Sequence, residues 1–276
     1  MSGDLSGSVV PDDDAPEPPE IDTTVAHQAR VYDYLIGGKT NFAVDRQVGD
    51  MVLQANPDLA LAARANRAFL GRAAHYLAAA EGIRQFLDIG TGIPSANNTH
   101  EVVQAVAPQS RVVYVDNDPI VLAHARALLT SAPEGRTAYL NADARDLDTV
   151  LARAAETLDF SQPVAVMLLS ILQVIDDPYA LTAGLLRAVP AGSCLAISVP
   201  ASDIQEEAQA EWTRRVAGDI PGAAIGLRSH DEVARFFDGL ELVEPGVVPV
   251  NQWRPGPGGP EPAYPLPSWG ALGRKR

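Results

Sequence analysis

From residue 85 to residue 199 the chain returns five times to a short apolar run rich in Val, Ile and Leu, with stretches of helical spacing between several of them. Runs that are apolar throughout, rather than alternating with polar residues, suit strands buried on both faces, and strands joined through helices pair in parallel. The pattern predicts strands over 85–89, 111–115, 137–140, 164–169 and 194–199. Between the first two, 98–107 reads as a helix. After the second, Asp118-Pro119 opens another, with Val121, Leu122, Ala125, Leu128 and Leu129 on one face. The expected fold class is α/β, a wound and mostly parallel sheet covered by helices.

The flanks differ in character. Residues 1–22 are read as a disordered acidic tail: Asp4, Asp12, Asp13, Asp14, Glu17 and Glu20 stand among prolines, with too little apolar area to offset the entropy of ordering. Residues 23–82 are expected to form a helical N-terminal lobe. Asn56-Pro57 starts its longest helix, and Leu61, Ala65, Phe69, Ala73 and Leu77 recur every fourth residue until Gly82. The core spans 83–276. Within it, 201–238 reads as a helical insertion, with a helix over 208–217 and a Ser229–Glu232 capping box for one that ends before Gly239. Final strands are expected over 240–248 and 268–272. Between them 254–267 holds six prolines and three glycines, too many breakers for anything but a surface loop.

Composition removes several classes of function. A chain of 276 residues buries an ordinary core without staples, and its lone cysteine, Cys194, sits in an apolar run where an inert thiol is expected. Acidic residues outnumber basic ones, 35 to 21, so the summed field repels phosphate backbones and nucleic acid is not an expected partner. The longest greasy stretch, 163–175, is broken by Ser170 and Gln173 and is too short to span a bilayer. No basic start with an apolar core opens the chain, so the expected location is the cytoplasm, with no membrane partner. The histidines show no paired ligand spacing, and no bound metal is expected.

The strongest local motif is Phe86-Leu87-Asp88-Ile89-Gly90-Thr91-Gly92-Ile93-Pro94-Ser95, a strand running into a glycine turn before a helix. Gly90 and Gly92 allow positive φ and close approach of a ligand to the backbone. A dinucleotide fingerprint wants a third glycine where Pro94 and Ser95 stand, and Asp88 would repel a diphosphate. The same carboxylate attracts an ammonium or a sulfonium, so the turn suits a cofactor that carries positive charge. A second acid, Asp116, ends the second strand, where a carboxylate accepts from both hydroxyls of a ribose. Asp143, in Asn141-Ala142-Asp143-Ala144-Arg145-Asp146, stands after the third strand, able to accept from an adenine amine.

Together these segments resemble the class I S-adenosylmethionine-dependent methyltransferases, and within them the S-adenosyl methyltransferase family known largely from actinomycetes. The likeness to that family also rests on Val31-Tyr32-Asp33-Tyr34-Leu35-Ile36-Gly37-Gly38-Lys39, Asn41-Phe42, Asp45-Arg46, Arg64-Ala65-Asn66-Arg67, Asn98-Thr99-His100-Glu101, Phe236-Phe237-Asp238-Gly239-Leu240 and Trp253-Arg254-Pro255. The resemblance implies a Rossmann-like, seven-stranded sheet with an antiparallel last strand, and S-adenosylmethionine as cofactor. Asp88, Gly90, Thr91 and Gly92 would hold its amino acid end, Asp116 its ribose, Asn117 and Asp143 its adenine, and Ala144 would lie against the ring. Ser170 begins the segment beside the methyl group. Where members of the family often carry a histidine and then an aromatic residue, this chain has Gln173 and Val174, so no general base is assigned.

Simpler roles compete. Asp116 and Asp143 can cap the turns that follow them, and Asp88 can pair with an arginine of the lobe. Tyr32, Tyr34, Lys39 and Asn41 are candidates for the acceptor side or for a lid hinged at Gly37-Gly38, and equally for packing within the lobe. His100 is a minor candidate, otherwise a surface histidine. The reading that follows is a methyltransferase acting on a small molecule. Its rivals are a non-catalytic sensor of S-adenosylmethionine or its demethylated product, and an NAD-dependent oxidoreductase, which accounts for Asp116 but not for Asp88 or Pro94.

Overall fold

The computed structural model describes residues 22–95, 97–128, 131–216, 226–259 and 261–276. The acidic tail, apart from Asp22, lies outside the described residues, as do Leu129 and, within the inserted segment, residues 217–225 with the last residue of its expected helix.

The five apolar runs form β1 (Gln85–Ile89), β2 (Arg111–Asp116), β3 (Arg136–Asn141), β4 (Ala165–Leu169) and β5 (Cys194–Pro200), each within a residue or so of its expected bounds. They pair in parallel, and β8 (Ser268–Lys275) joins β5 antiparallel. The order is β3-β2-β1-β4-β5-β8 and then, at the edge, β6 (Leu240–Leu242), seven strands on one path. The expected strand over 240–248 is instead two pieces, β6 (Leu240–Leu242) and the two-residue β7 (Val248–Pro249), both paired to the outer side of β8. Pro245 and Gly246 account for the break: proline has no N–H for the ladder, and Gly246 turns with φ 85.

Side chains alternate between the two faces of the sheet. Leu87, Ile89, Val113, Val115, Val166, Leu168, Leu195 and Ile197 enter a core with α6 (Leu147–Ala154) and α7 (Pro178–Ala188). Phe86, Val112, Tyr114, Met167 and Ala196 enter the other, against α3 (Asp58–Ala79) and α4 (Thr99–Val106). In α3 the fourfold stripe is only partly buried: Ala65, Phe69, Ala73 and Leu77 are inside, and Leu61 is 36% exposed. Four residues of helix advance about 400°, so a strict period of four winds off one face, and Leu59, Ala62 and Leu70 complete the buried side.

The lobe adds α1 (Gln28–Leu35) and α2 (Ala43–Ala55). They share a third core with α8 (Glu206–Val216) of the inserted segment, through Val31, Val48, Val52, Leu59 and Trp212. The two additions to the sheet, one before β1 and the other after β5, therefore meet as one body. A buried ion pair braces the lobe: Arg30 Nε lies 3.1 Å from Asp45, which also accepts from the backbone N–H groups of His27 at 2.9 Å and Phe42 at 2.8 Å. Arg30 in turn donates to the carbonyls of Asp22 and Val25, which fixes the chain entering α1.

Candidate active site

Parallel strands end level with one another, and between β1 and β4 the order reverses, which leaves a crevice at their carboxyl ends. Gly90 follows β1 there, Asp116 ends β2, Ala142 to Arg145 follow β3 and Ser170 follows β4. Together with Ala26 to Ala29 of the lobe they line a cavity of about 420 Å³, within the range of small-molecule sites.

The turn is shaped by its glycines. Gly90 has φ 74, and a Cβ there would stand 2.6 Å from the Ile171 side chain, so only glycine lets β1 and the turn after β4 approach. Gly92 has φ 63, and nothing lies within 4 Å of where its Cβ would be; that space belongs to the cavity. Thr91 Oγ1 meets the Tyr139 hydroxyl at 2.9 Å, and Tyr139 stacks on Tyr114 below the site.

Asp88 points to the α3–α4 face of the sheet, as its place beside Phe86 dictates. It is 4% exposed and accepts a 2.6 Å hydrogen bond from Thr99 Oγ1. Burial pushes its carboxyl up to about 6, against the Thr99 bond and the nearby Arg67, which lower it. Asp116 accepts from Gly92 N at 2.8 Å and Asp118 N at 2.9 Å, and burial again raises its carboxyl above the ordinary value. It is thus both the turn's brace and a wall of the cavity, and each oxygen keeps a second lone pair for a ligand. Asn117 and Ala144 line the cavity beside it. Asp143 does so too, but Arg145 holds it from Nη2 at 2.6 Å and Nε at 2.9 Å and keeps its carboxyl below the usual range.

Of the lobe candidates, Tyr32 alone lines this cavity. Its hydroxyl donates to Ala63 O at 2.9 Å and accepts from Asn66 Nδ2, which also donates to Ser170 Oγ, both at 3.0 Å. Asn66 Oδ1 is left buried at the cavity wall with no partner. Tyr34, Lys39 and Asn41 lie elsewhere: Tyr34 donates to Asp50 at 2.6 Å, Asn41 to Asp33 at 2.8 Å, and Lys39 is exposed. Helix α1 ends at Leu35, and in the turn after it the Gly38 N–H donates to Asp33 O at 2.8 Å. His100 is neither at the cavity nor on the surface. It is 2% exposed, its N–H donates to the Tyr114 hydroxyl at 2.8 Å, and that hydroxyl is placed to donate to its Nδ1 at 2.8 Å.

Residues not singled out from the sequence complete the site. His27 Nδ1 stands 2.8 Å from Asp118, across from the turn that carries Asp116. The same nitrogen is 3.3 Å from Ala29 N–H; the shorter contact needs a proton on Nδ1, the longer a lone pair. Burial works to raise the Asp118 carboxyl, and His27, the Ile120 N–H and Arg30 together hold it below the ordinary value. A second cavity of about 110 Å³ shares Gln28, Tyr32 and Ser170 with the first and is lined by Gln173, Trp212 and apolar side chains of α1 to α3. Gln173 faces this smaller cavity, not the larger.

A sequence model of the S-adenosyl methyltransferase family matches residues 14–276. The chain belongs to that family. This methyltransferase is 44% identical to a DUF574 family protein from Streptomyces avermitilis, over 93% of this chain and 100% of that one, with a TM-score of 0.90. It is 39% identical to a candidate methyltransferase from Thermobifida fusca, over 94% and 98%, with a TM-score of 0.86. The plantazolicin methyltransferase BpumL, solved in complex with S-adenosylhomocysteine, shares the fold alone, at 10% identity over 90% and 95% and a TM-score of 0.50. No curated protein matches. The cofactor is S-adenosylmethionine. The cavity suits it: the orphaned Asn66 oxygen and Asp88 meet the needs of an ammonium, and the space over Gly92 admits a ligand hard against the backbone. Among the described residues no helix is long and apolar enough to cross a membrane.

Proposed function

We propose that this methyltransferase acts on a small molecule, and that the cavity at the ends of β1, β2 and β4 holds the cofactor. One observation carries the small-molecule reading: residues of the lobe wall both cavities and Trp212 of α8 walls the smaller, so the site is a recess of small-molecule size rather than a flat face. The surplus of acidic over basic residues argues in the same direction against a nucleic acid, and the reading keeps the acceptor among cytoplasmic metabolites.

In this reading Asp88 and Asn66 Oδ1 accept from the ammonium of the amino acid end, and Arg67 faces its carboxylate. Gly90, Thr91 and Gly92 let that end approach the backbone. Asp116 accepts from the ribose hydroxyls, Asn117 and Asp143 border the adenine, and Ala144 packs on the ring. Ser170 holds the partition toward the acceptor through Asn66. The cofactor supplies a methyl group on positively charged sulfur, which leaves as a neutral thioether, so alignment of the acceptor provides much of the rate.

Calorimetry with S-adenosylhomocysteine tests the cofactor site: Asp116→Ala should weaken binding by about 1.5 to 3 kcal/mol, the scale for hydrogen bonds to a charged group. An unchanged affinity removes Asp116 from the site. Labelled methyl transfer into a metabolite extract tests the acceptor class. Label on tRNA or protein instead would refute a small-molecule acceptor, and tight binding with no transfer at all would mark a sensor.

A further inference from the structure

The smaller cavity combines an apolar wall with two polar atoms that have no partner. Val31 and Leu35 of α1, Val52 of α2, Leu59 of α3 and the Trp212 ring of α8 surround it. Trp212 Nε1 and Gln173 Oε1 are both buried without a hydrogen bond, in residues 8% and 7% exposed. The Gln173 amide is oriented by its own contact, since Nε2 donates to Ser170 O at 2.7 Å; a flip would set two oxygens together. Its oxygen is therefore an acceptor awaiting a donor, and the indole is a donor awaiting an acceptor. Native structures seldom leave buried polar atoms unmatched, and Gln173 and Trp212, each with one such atom, both line this small cavity, where a ligand could draw on them.

Among the described residues no aspartate, glutamate, lysine, arginine or histidine lines this cavity. A charged ligand would lose its hydration there and find no opposite charge, so the occupant is uncharged. The volume of about 110 Å³ is close to that of a cavity that takes one benzene ring, ~150 Å³. Gln28, Tyr32 and Ser170 belong to both cavities, which puts the smaller one directly against the room assigned above to the cofactor.

We propose that the smaller cavity is the acceptor subsite, and that it takes an uncharged, largely apolar molecule about one ring in size, which donates a hydrogen bond to Gln173 and accepts one from Trp212. The proposal rests on the methyltransferase reading of the larger cavity. It explains why an amide, which can position a substrate but cannot take its proton, stands at Gln173: the residue selects and orients.

The test uses the full chain with ¹⁵N-labelled tryptophan and saturating S-adenosylhomocysteine, with the Trp212 indole resonance assigned by Trp212→Phe. The probes are 4-aminophenol, which is neutral with a donor and an acceptor, 4-aminobenzoate, an anion, and benzylamine, a cation. The expected result is that 4-aminophenol moves the Trp212 resonance and binds at least tenfold more tightly than either charged probe. Gln173→Leu should weaken it at least tenfold with the affinity for S-adenosylhomocysteine kept within about twofold, and Trp212→Phe should weaken it as well. Equal or tighter binding of a charged probe overturns the proposal, as does binding that leaves the Trp212 resonance in place, or no binding by any of the three. Failure of S-adenosylhomocysteine itself to bind would instead refute the reading of the larger cavity, and calorimetry before any probe is added separates the two.

Discussion

At the scale of single residues, the chemistry of the site rests on carboxylates kept out of water. Asp88 is the sharpest case, its carboxyl pushed up to about 6 by burial. Because the folded value lies above the unfolded one, Asp88 favours the fold when protonated. That contribution is complete below pH 4 and lost as the pH rises through 6, leaving the empty protein with a cost of up to about 3 kcal/mol. A bound ammonium offsets the cost by favouring the charged form. Binding of S-adenosylhomocysteine should therefore tighten from pH 5 to pH 7, level off above, and release a proton at the lower end, as calorimetry in buffers of different ionisation enthalpy would record. Asp88→Asn should flatten the profile and raise the melting temperature of the empty protein at pH 8; a lower melting temperature would show that Asp88 serves the fold as an anion. Asp88, Gly90 and Asp116 were legible in the sequence because strand ends in a wound sheet are fixed in space by pairing alone. Asn66, His27 and Trp212 were not, because their place depends on how separate helices pack, and no local spacing records that.

At the scale of elements, the two glycines of the β1 turn do different work. Gly90→Ala combines a left-handed backbone with a 2.6 Å clash against Ile171, whereas Gly92→Ala carries the backbone strain alone. Left-handed alanine costs about 1–2 kcal/mol, and an overpacked methyl about 1–3 more. Gly90→Ala should therefore lose the greater stability in denaturant unfolding. Gly92→Ala should fold yet bind S-adenosylhomocysteine at least tenfold less well, since its new methyl stands in the cavity; equal affinity would mean that the ligand does not approach this turn. The strands were readable as elements because Val112–Val115 or Val166–Leu169 are continuous apolar runs between breakers. The split of β6 from β7 was less plain, since Leu240, Leu242, Val247 and Val248 keep the look of one strand across Pro245-Gly246. In the lobe, what sets α1 against α2 is buried and polar, Arg30 and Asp45, and such residues leave no hydrophobic period to read.

At the scale of the molecule, the fold is a sheet with a second body docked on its carboxyl edge, and residues of that body line both cavities. Arg30→Met would leave Asp45 buried without its cation, a change that costs about 3–5 kcal/mol in buried pairs. Hydrogen exchange should then quicken through α1 and α2 while amides of β1, β4 and β5 stay protected, and S-adenosylhomocysteine affinity should fall with it. Exchange that quickens equally in the sheet would show that lobe and sheet unfold as one unit. The short contact from His27 to Asp118 spans these two bodies: the histidine enters α1, and the aspartate starts the helix after β2. The clasp thus fastens the lobe to the sheet at a residue, His27, that also lines the larger cavity, so the fastening and the wall of that room change together.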